Sequence, residues 1–181
     1  MTAQQQGPSP EFAATFRDMM LDGLQQELQT TKKVIAAIPD TQRTYRPDPK
    51  ARTAWELAWH IVSVDAQFLE EIAEGEFHME PRYKDEPKTV ADMVAWYDQH
   101  FTRSIAKVRA MSGEQLVKTI DFYGLLKLPA FAYLGFVNNH SVHHRGELAT
   151  YLRPMGSKVP SIYGGSYDEP FVPPGAEETA A

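Results

Sequence analysis

Residues 53–75 read Thr53-Ala-Trp-Glu-Leu-Ala-Trp-His-Ile-Val-Ser-Val-Asp-Ala-Gln-Phe-Leu-Glu-Glu-Ile-Ala-Glu-Gly75, and this stretch decides the fold class. Thr53-x-x-Glu56 is a capping box, in which each end residue bonds the other's free backbone N–H. Leu57, Ile61, Val64, Phe68 and Ile72 then recur at helical spacing, and Gly75 supplies the stop. The spacing predicts an amphipathic helix of about six turns, longer than a typical strand.

Three further segments repeat the pattern. Ser9-Pro10-Glu11 is an N-cap followed by proline at the first helical position. Phe12, Phe16, Met20, Leu24, Leu28, Ile35 and Ile38 form its stripe, and Pro39-Asp40 ends it. A third helix starts near Thr89 and carries Val90, Val94, Tyr97, Phe101, Ile105 and Val108 as far as Ser112-Gly113. A fourth begins after Pro129, aligns Tyr133, Val137, Leu148 and Tyr151, and ends before Pro154. The fold expected is all-α: a four-helix bundle with long crossover connections at 40–52, 75–88 and 113–128, the last with short extended pieces. Residues 154–175, rich in Pro and Gly, are read as an ordered coil wrapping the bundle. Residues 1–8 and 176–181 are read as disordered, leaving 9–175 as a single domain.

Composition narrows the function classes. The chain of 181 residues suits one domain with its own core. It has no cysteine, which excludes disulfides, thiolate metal sites and a cysteine nucleophile. The net charge of −6, without a Lys/Arg cluster, argues against a nucleic-acid surface. No apolar run is long enough to span a bilayer, and the N-terminus lacks signal-peptide regions, so the expectation is cytoplasmic.

The chemistry sits on the histidines. His60 lies three residues after Leu57 and four before Val64, so it points along the inner stripe of the second helix. By itself such a residue is more often a hydrogen-bonded core histidine. The fourth helix adds His140 and His144, about 40° apart around the axis and about 6 Å along it. One helix can present two imidazoles to one metal in this way. Both align with Val137, Leu148 and Tyr151, and inward imidazoles without a cation need other partners. His143 reads as a flanking residue, and His78 and His100 receive no role. Glu56 four before His60 and Glu147 three after His144 do not make the Glu-x-x-His pattern of a di-iron bundle, so one metal is expected. Either carboxylate can orient an imidazole, although capping already accounts for Glu56 and a surface position would account for Glu147. Tyr163, Tyr167 and Asp168 either close over the metal or pack the wrap for stability.

Glu56-Leu57-x-x-His60, then His140-x-x-x-His144-Arg145-Gly146-Glu147-Leu148, Tyr151-Leu152-Arg153, and Gly156-x-x-Val159-Pro160-x-Ile162-Tyr163-Gly164 with Asp168-Glu169 resemble the DinB-like family of bacterial bundles. The likeness runs from the first helix to about Glu169. It implies a four-helix bundle, one divalent metal, usually zinc or nickel, and frequently a homodimer. The family's ligands fall on His60, His140 and His144, and this chain has Glu147 where many relatives have glutamine. Some relatives transfer or isomerise substrates with low-molecular-weight thiols, and the family name does not imply DNA binding.

Three neutral imidazoles leave a divalent ion with its full charge and an open position. Such an ion brings the pKa of bound water from ~16 to ~7 and deprotonates a thiol by the same means. The favoured expectation is therefore a metal-dependent S-transferase that uses a small thiol and a small-molecule substrate. A metal-hydroxide hydrolase and a non-catalytic, metal-stabilised stress-response or binding protein are the alternatives.

Overall fold

The computed structural model describes residues 7–173; the expected disordered tail and residues 1–6 lie outside them. Four long helices carry the fold: α1 (Pro10–Ala36), α2 (Ala54–Glu74), α3 (Val90–Arg109) and, after the small elements of the third connection, α5 (Leu134–Leu152). That connection holds the single-turn α4 (Gly113–Leu116) and an antiparallel hairpin of β1 (Thr119–Phe122) and β2 (Leu126–Pro129), with Ile120 opposite Leu128. The extended pieces expected there are this hairpin. A 3-10 turn, Ala130–Tyr133, leads into α5, so the α-helix proper starts five residues after Pro129.

The sequence signals for the ends act as read. Ser9 Oγ accepts from the Phe12 N–H at 3.2 Å with Pro10 at the first helical position. Thr53 Oγ1 accepts from the Glu56 N–H while the Thr53 N–H donates to Glu56 Oε2 at 2.7 Å. Gly75 closes α2 at φ +82°, a conformation an L side chain resists.

Helix α1 departs from the stripe read in the sequence. Phe12 is 55% exposed, and Phe16 and Met20 are only partly buried. In the first half of the helix the buried line runs one position later, through Ala13, Arg17 and Leu21, and it rejoins the expected stripe at Leu24, Leu28 and Ile35. Arg17 is tolerated inside because its Nη1 donates to the Met111 carbonyl at 2.6 Å. Phe12 and Phe16 pack instead edge-on against Phe131 at the rim.

Around the bundle, α1 touches α3 and α5, and α2 touches the same two helices. Helices α1 and α2 therefore stand on opposite corners, and the chain crosses the bundle between them through residues 37–53. This crossover sets α2 directly beside α5. The C-terminal coil, described to residue 173, is fastened across the bundle. Ser157 Oγ donates to the Ala37 carbonyl, and Asp168 accepts from the Val159 N–H and from Arg153.

Candidate metal centre and its pocket

His60 comes from α2, and His140 and His144 come from the facing side of α5. His60 Nε2 lies 3.1 Å from His140 Nε2 and 3.3 Å from His144 Nε2. All three rings can offer one nitrogen within 4.8 Å of the others. The three histidines singled out in the sequence therefore form a single cluster.

The outer edges of the two α5 rings are held by carboxylates. His140 Nδ1 is 2.8 Å from Asp65 Oδ1, and His144 Nδ1 is 3.0 Å from Glu147 Oε2. A carboxylate accepts, so in each ring Nδ1 carries the proton and Nε2 presents a lone pair. Asp65 is fully buried, and its other oxygen accepts from the Tyr97 hydroxyl at 2.8 Å. Glu147 also accepts from the Tyr151 hydroxyl at 3.3 Å and is one-third exposed.

Two lone pairs are thus aimed at His60 Nε2, which has at most one proton to share. Three nitrogens so arranged fit a cation better than one another. Ligands 2.0–2.1 Å from a tetrahedral ion stand roughly 3.3 Å apart, close to the two shorter separations. Burial, followed by the Arg52 charge and the neighbouring rings, pushes His60 down to about 3. Burial also lowers His144, against the opposing pull of Glu147. Neutral imidazoles are the form that coordinates.

The other residues singled out in the sequence fall elsewhere. His143 is exposed and touches the cluster through its ring contact with His144, with which it and Glu147 form a second possible donor group. Glu56 acts in the capping box at the pocket rim. His100 stacks on Trp96, ring centroids 4.0 Å apart. Tyr163 donates to Glu27 and contacts Arg145, Tyr167 is 91% exposed, and Asp168 stays within the coil. These three fasten or flank the wrap. Arg145 is 1% exposed and reaches Glu27, Thr31 and Tyr163, joining α1, α5 and the coil.

Asp65 is the site residue that spacing did not reveal. It is five residues from His60 and seventy-five from the ring it holds. Its one signal is an acid set directly between the apolar Val64 and Ala66, since buried acids are rare unless paired.

A pocket of about 480 Å³ opens beside the cluster, with His60 and His140 in its wall. Val64 and Phe68, read as core residues, line it and are half-buried for that reason. Its roof is the 76–83 segment, stapled to α2 where Gln67 Nε2 donates to the Glu80 carbonyl and the Arg82 N–H donates to Gln67 Oε1. The Tyr123 hydroxyl of the hairpin turn holds the same roof through the His78 carbonyl at 2.9 Å.

Known proteins resemble this chain in sequence, and two solved structures resemble it in fold. The uncharacterized Bacillus subtilis (strain 168) protein YjoA is 27% identical over 128 residues, covering 70% of this chain and 82% of YjoA. The uncharacterized YrdA of the same organism is 26% identical over 157 residues, 84% of this chain and 90% of YrdA. The crystal structure of YjoA, a DinB-like protein, superposes with a TM-score of 0.66 at 24% identity, over 80% of this chain and 97% of that one. A DinB-like protein from Bacillus cereus ATCC 10987 gives 0.68 at 23% identity, over 80% and 95%. The DinB family model matches residues 13–178, nearly the whole length, and the chain belongs to the DinB family.

Proposed function

We propose that the chain is a metal-dependent enzyme that binds one divalent ion, zinc or nickel, through His60, His140 and His144, and transfers a low-molecular-weight thiol to an electrophilic small molecule. One observation carries the reading: carboxylate-fixed imidazole lone pairs converge at the wall of an apolar pocket. Bound there, the ion would supply an open Lewis-acid position that favours a thiolate at neutral pH. Asp65 and Glu147 hold the imidazole tautomers, and Tyr97 and Tyr151 hold the two carboxylates. Trp59, Phe68 and Phe122 exclude water from the pocket and orient an apolar substrate body. In the transfer, sulfur forms a bond to an electrophilic carbon. The leaving group departs with the electron pair of the broken bond, and the thiol proton passes to solvent. The thiol must come from outside because the chain has no cysteine.

The test pairs elemental analysis with turnover. Tag-free protein is expected to carry one metal per chain, and His144→Ala to lose it; equal content in both overturns the metal reading. Metal-dependent consumption of an alkyl halide or epoxide with added cysteine or glutathione supports transfer. Ester cleavage without thiol would make the protein a hydrolase instead. No turnover of either kind in metal-loaded protein would leave a metal-stabilised binding protein. A homodimer is proposed on the family resemblance alone; a light-scattering mass of 20.4 kDa would overturn it.

A further inference from the structure

The pocket follows one face of α2. His60, Ser63, Val64, Gln67, Phe68 and Glu71 all line it, and they recur at the three- and four-residue spacing of a single helix side. Eleven residues separate His60 from Glu71, a translation of roughly 16 Å along the axis. Between those ends Trp59, Val64, Phe68, Met79 and Phe122 make most of the wall, interrupted on α2 by Ser63 and Gln67.

Glu71 is an unusual end to such a trough. Its side chain is 2% exposed. Its Oε1 accepts from Gln67 Nε2 at 2.8 Å and from the His78 N–H at 3.2 Å, which fastens the roof. Among the described residues no hydrogen bond reaches Oε2, although Glu71 lines the pocket. The nearby Arg82 is taken by Glu74 and Glu70, and His78 Nδ1 stands 3.8 Å from Oε1. No buried side-chain oxygen among the described residues lacks a partner, so Oε2 keeps contact with the open pocket, where a charged donor on a ligand can reach it.

We propose that this trough binds an elongated organic amine, its apolar body along α2, its ammonium group on Glu71 Oε2 and its reacting end at the three imidazoles. The assignment of the reacting end rests on the metal-site reading above; the amine end does not. Burial holds the Glu71 carboxyl above the ordinary range, consistent with a site that lacks its cation until a ligand arrives.

Octylamine, octanol and octanoate serve as probes, titrated by tryptophan fluorescence and calorimetry against the full chain as purified and with saturating zinc. Octylamine is expected to bind best and octanoate worst in both conditions. Glu71→Gln keeps an oxygen for Gln67 and the His78 N–H. It should weaken octylamine about tenfold, the worth of a hydrogen bond to a charged group, and leave octanol within about twofold. Equal binding of octylamine and octanol by the wild type overturns the proposal, and that comparison decides even if the variant does not fold. Equal losses for both probes in Glu71→Gln reduce Glu71 to a roof anchor. An octylamine affinity untouched by Glu71→Gln also overturns the proposal, because the amine is then held at the metal or elsewhere. Failure of the metal reading shows separately, as absent metal uptake with the probe ranking intact.

Discussion

Asp65 and Glu147 hold two imidazoles by the same kind of bond, yet they differ in surroundings. Asp65 has no exposed side-chain surface and bridges His140 to Tyr97, whereas Glu147 is partly open to water. Loss of a group that orients a ligand typically costs ~10–100-fold in metal affinity. Asp65→Ala should therefore fall near the upper end and Glu147→Gln at or below the lower end, measured by competition with a chromophoric chelator. Asp65→Ala also strands the Tyr97 hydroxyl, destabilising the fold by about 1–3 kcal/mol. Equal chelator competition by both variants would remove Asp65 from the site.

Glu71 gives a pH-dependent signature of its own. Burial raises its folded-state pKa above the ordinary 4.5, so the folded chain keeps a proton that the unfolded chain releases. Stability from this group is fully present below the unfolded value and is lost as pH rises through the folded one. Glutamine does not titrate. The Tm of Glu71→Gln minus that of wild type should grow more positive as pH rises from 4.5, and a flat difference would contradict the raised carboxyl. At this scale His140 and His144 were legible because i, i+4 spacing on a helix is a local pattern, whereas His60 showed only an inward face and joined them through the family resemblance. Asp65 and Glu71 were not, because each gains its role from residues brought in by the fold.

At the scale of elements, helix ends were the most legible feature, since capping is decided within four residues. The Thr53–Glu56 box is the clearest case: it starts α2 two turns before His60. Thr53→Ala should cost about 1 kcal/mol, a fall in Tm of roughly 2–4 °C for a domain of this size. Metal stoichiometry should not change, because Glu56 and Thr53 do not touch the cluster; metal loss in a folded variant would show that the helix start positions His60. The first half of the α1 stripe is one position off because Phe12 and Phe16 outweigh Ala13 and Arg17 in any hydrophobic tally, while Leu24, Leu28, Ile35 and Ile38 are buried as expected. Arg17 is inside through its bond to the Met111 carbonyl, a partner ninety-four residues away. The hairpin was legible merely as extended pieces. Its turn uses Tyr123 at φ +55° and Gly124 at φ +73°, stabilised by Asp121 Oδ1 on the Gly124 N–H, and tyrosine there is not a turn signal.

Across the whole molecule, periodicity and caps indicated four helices but did not order them. The diagonal placement of α1 and α2 is a consequence of the long first connection, whose length permits neighbours or opposite corners alike. That placement is what makes the cluster possible, for it sets residue 60 against a helix eighty residues later. A cation held by both α2 and α5 would link these distant segments in the folded state alone, and so shift the unfolding equilibrium. At a free metal concentration of 100 times Kd the gain is about 2.7 kcal/mol, roughly 5–10 °C in Tm here. Zinc or nickel should therefore raise the Tm of wild type and of Thr53→Ala alike, raise that of Asp65→Ala less at equal metal, and leave His60→Ala and His144→Ala unmoved. His60→Ala is the informative member of the set. If the pair on α5 bound metal without α2, this variant would keep most of the shift, and the two-helix clasp would give way to a local site on one helix.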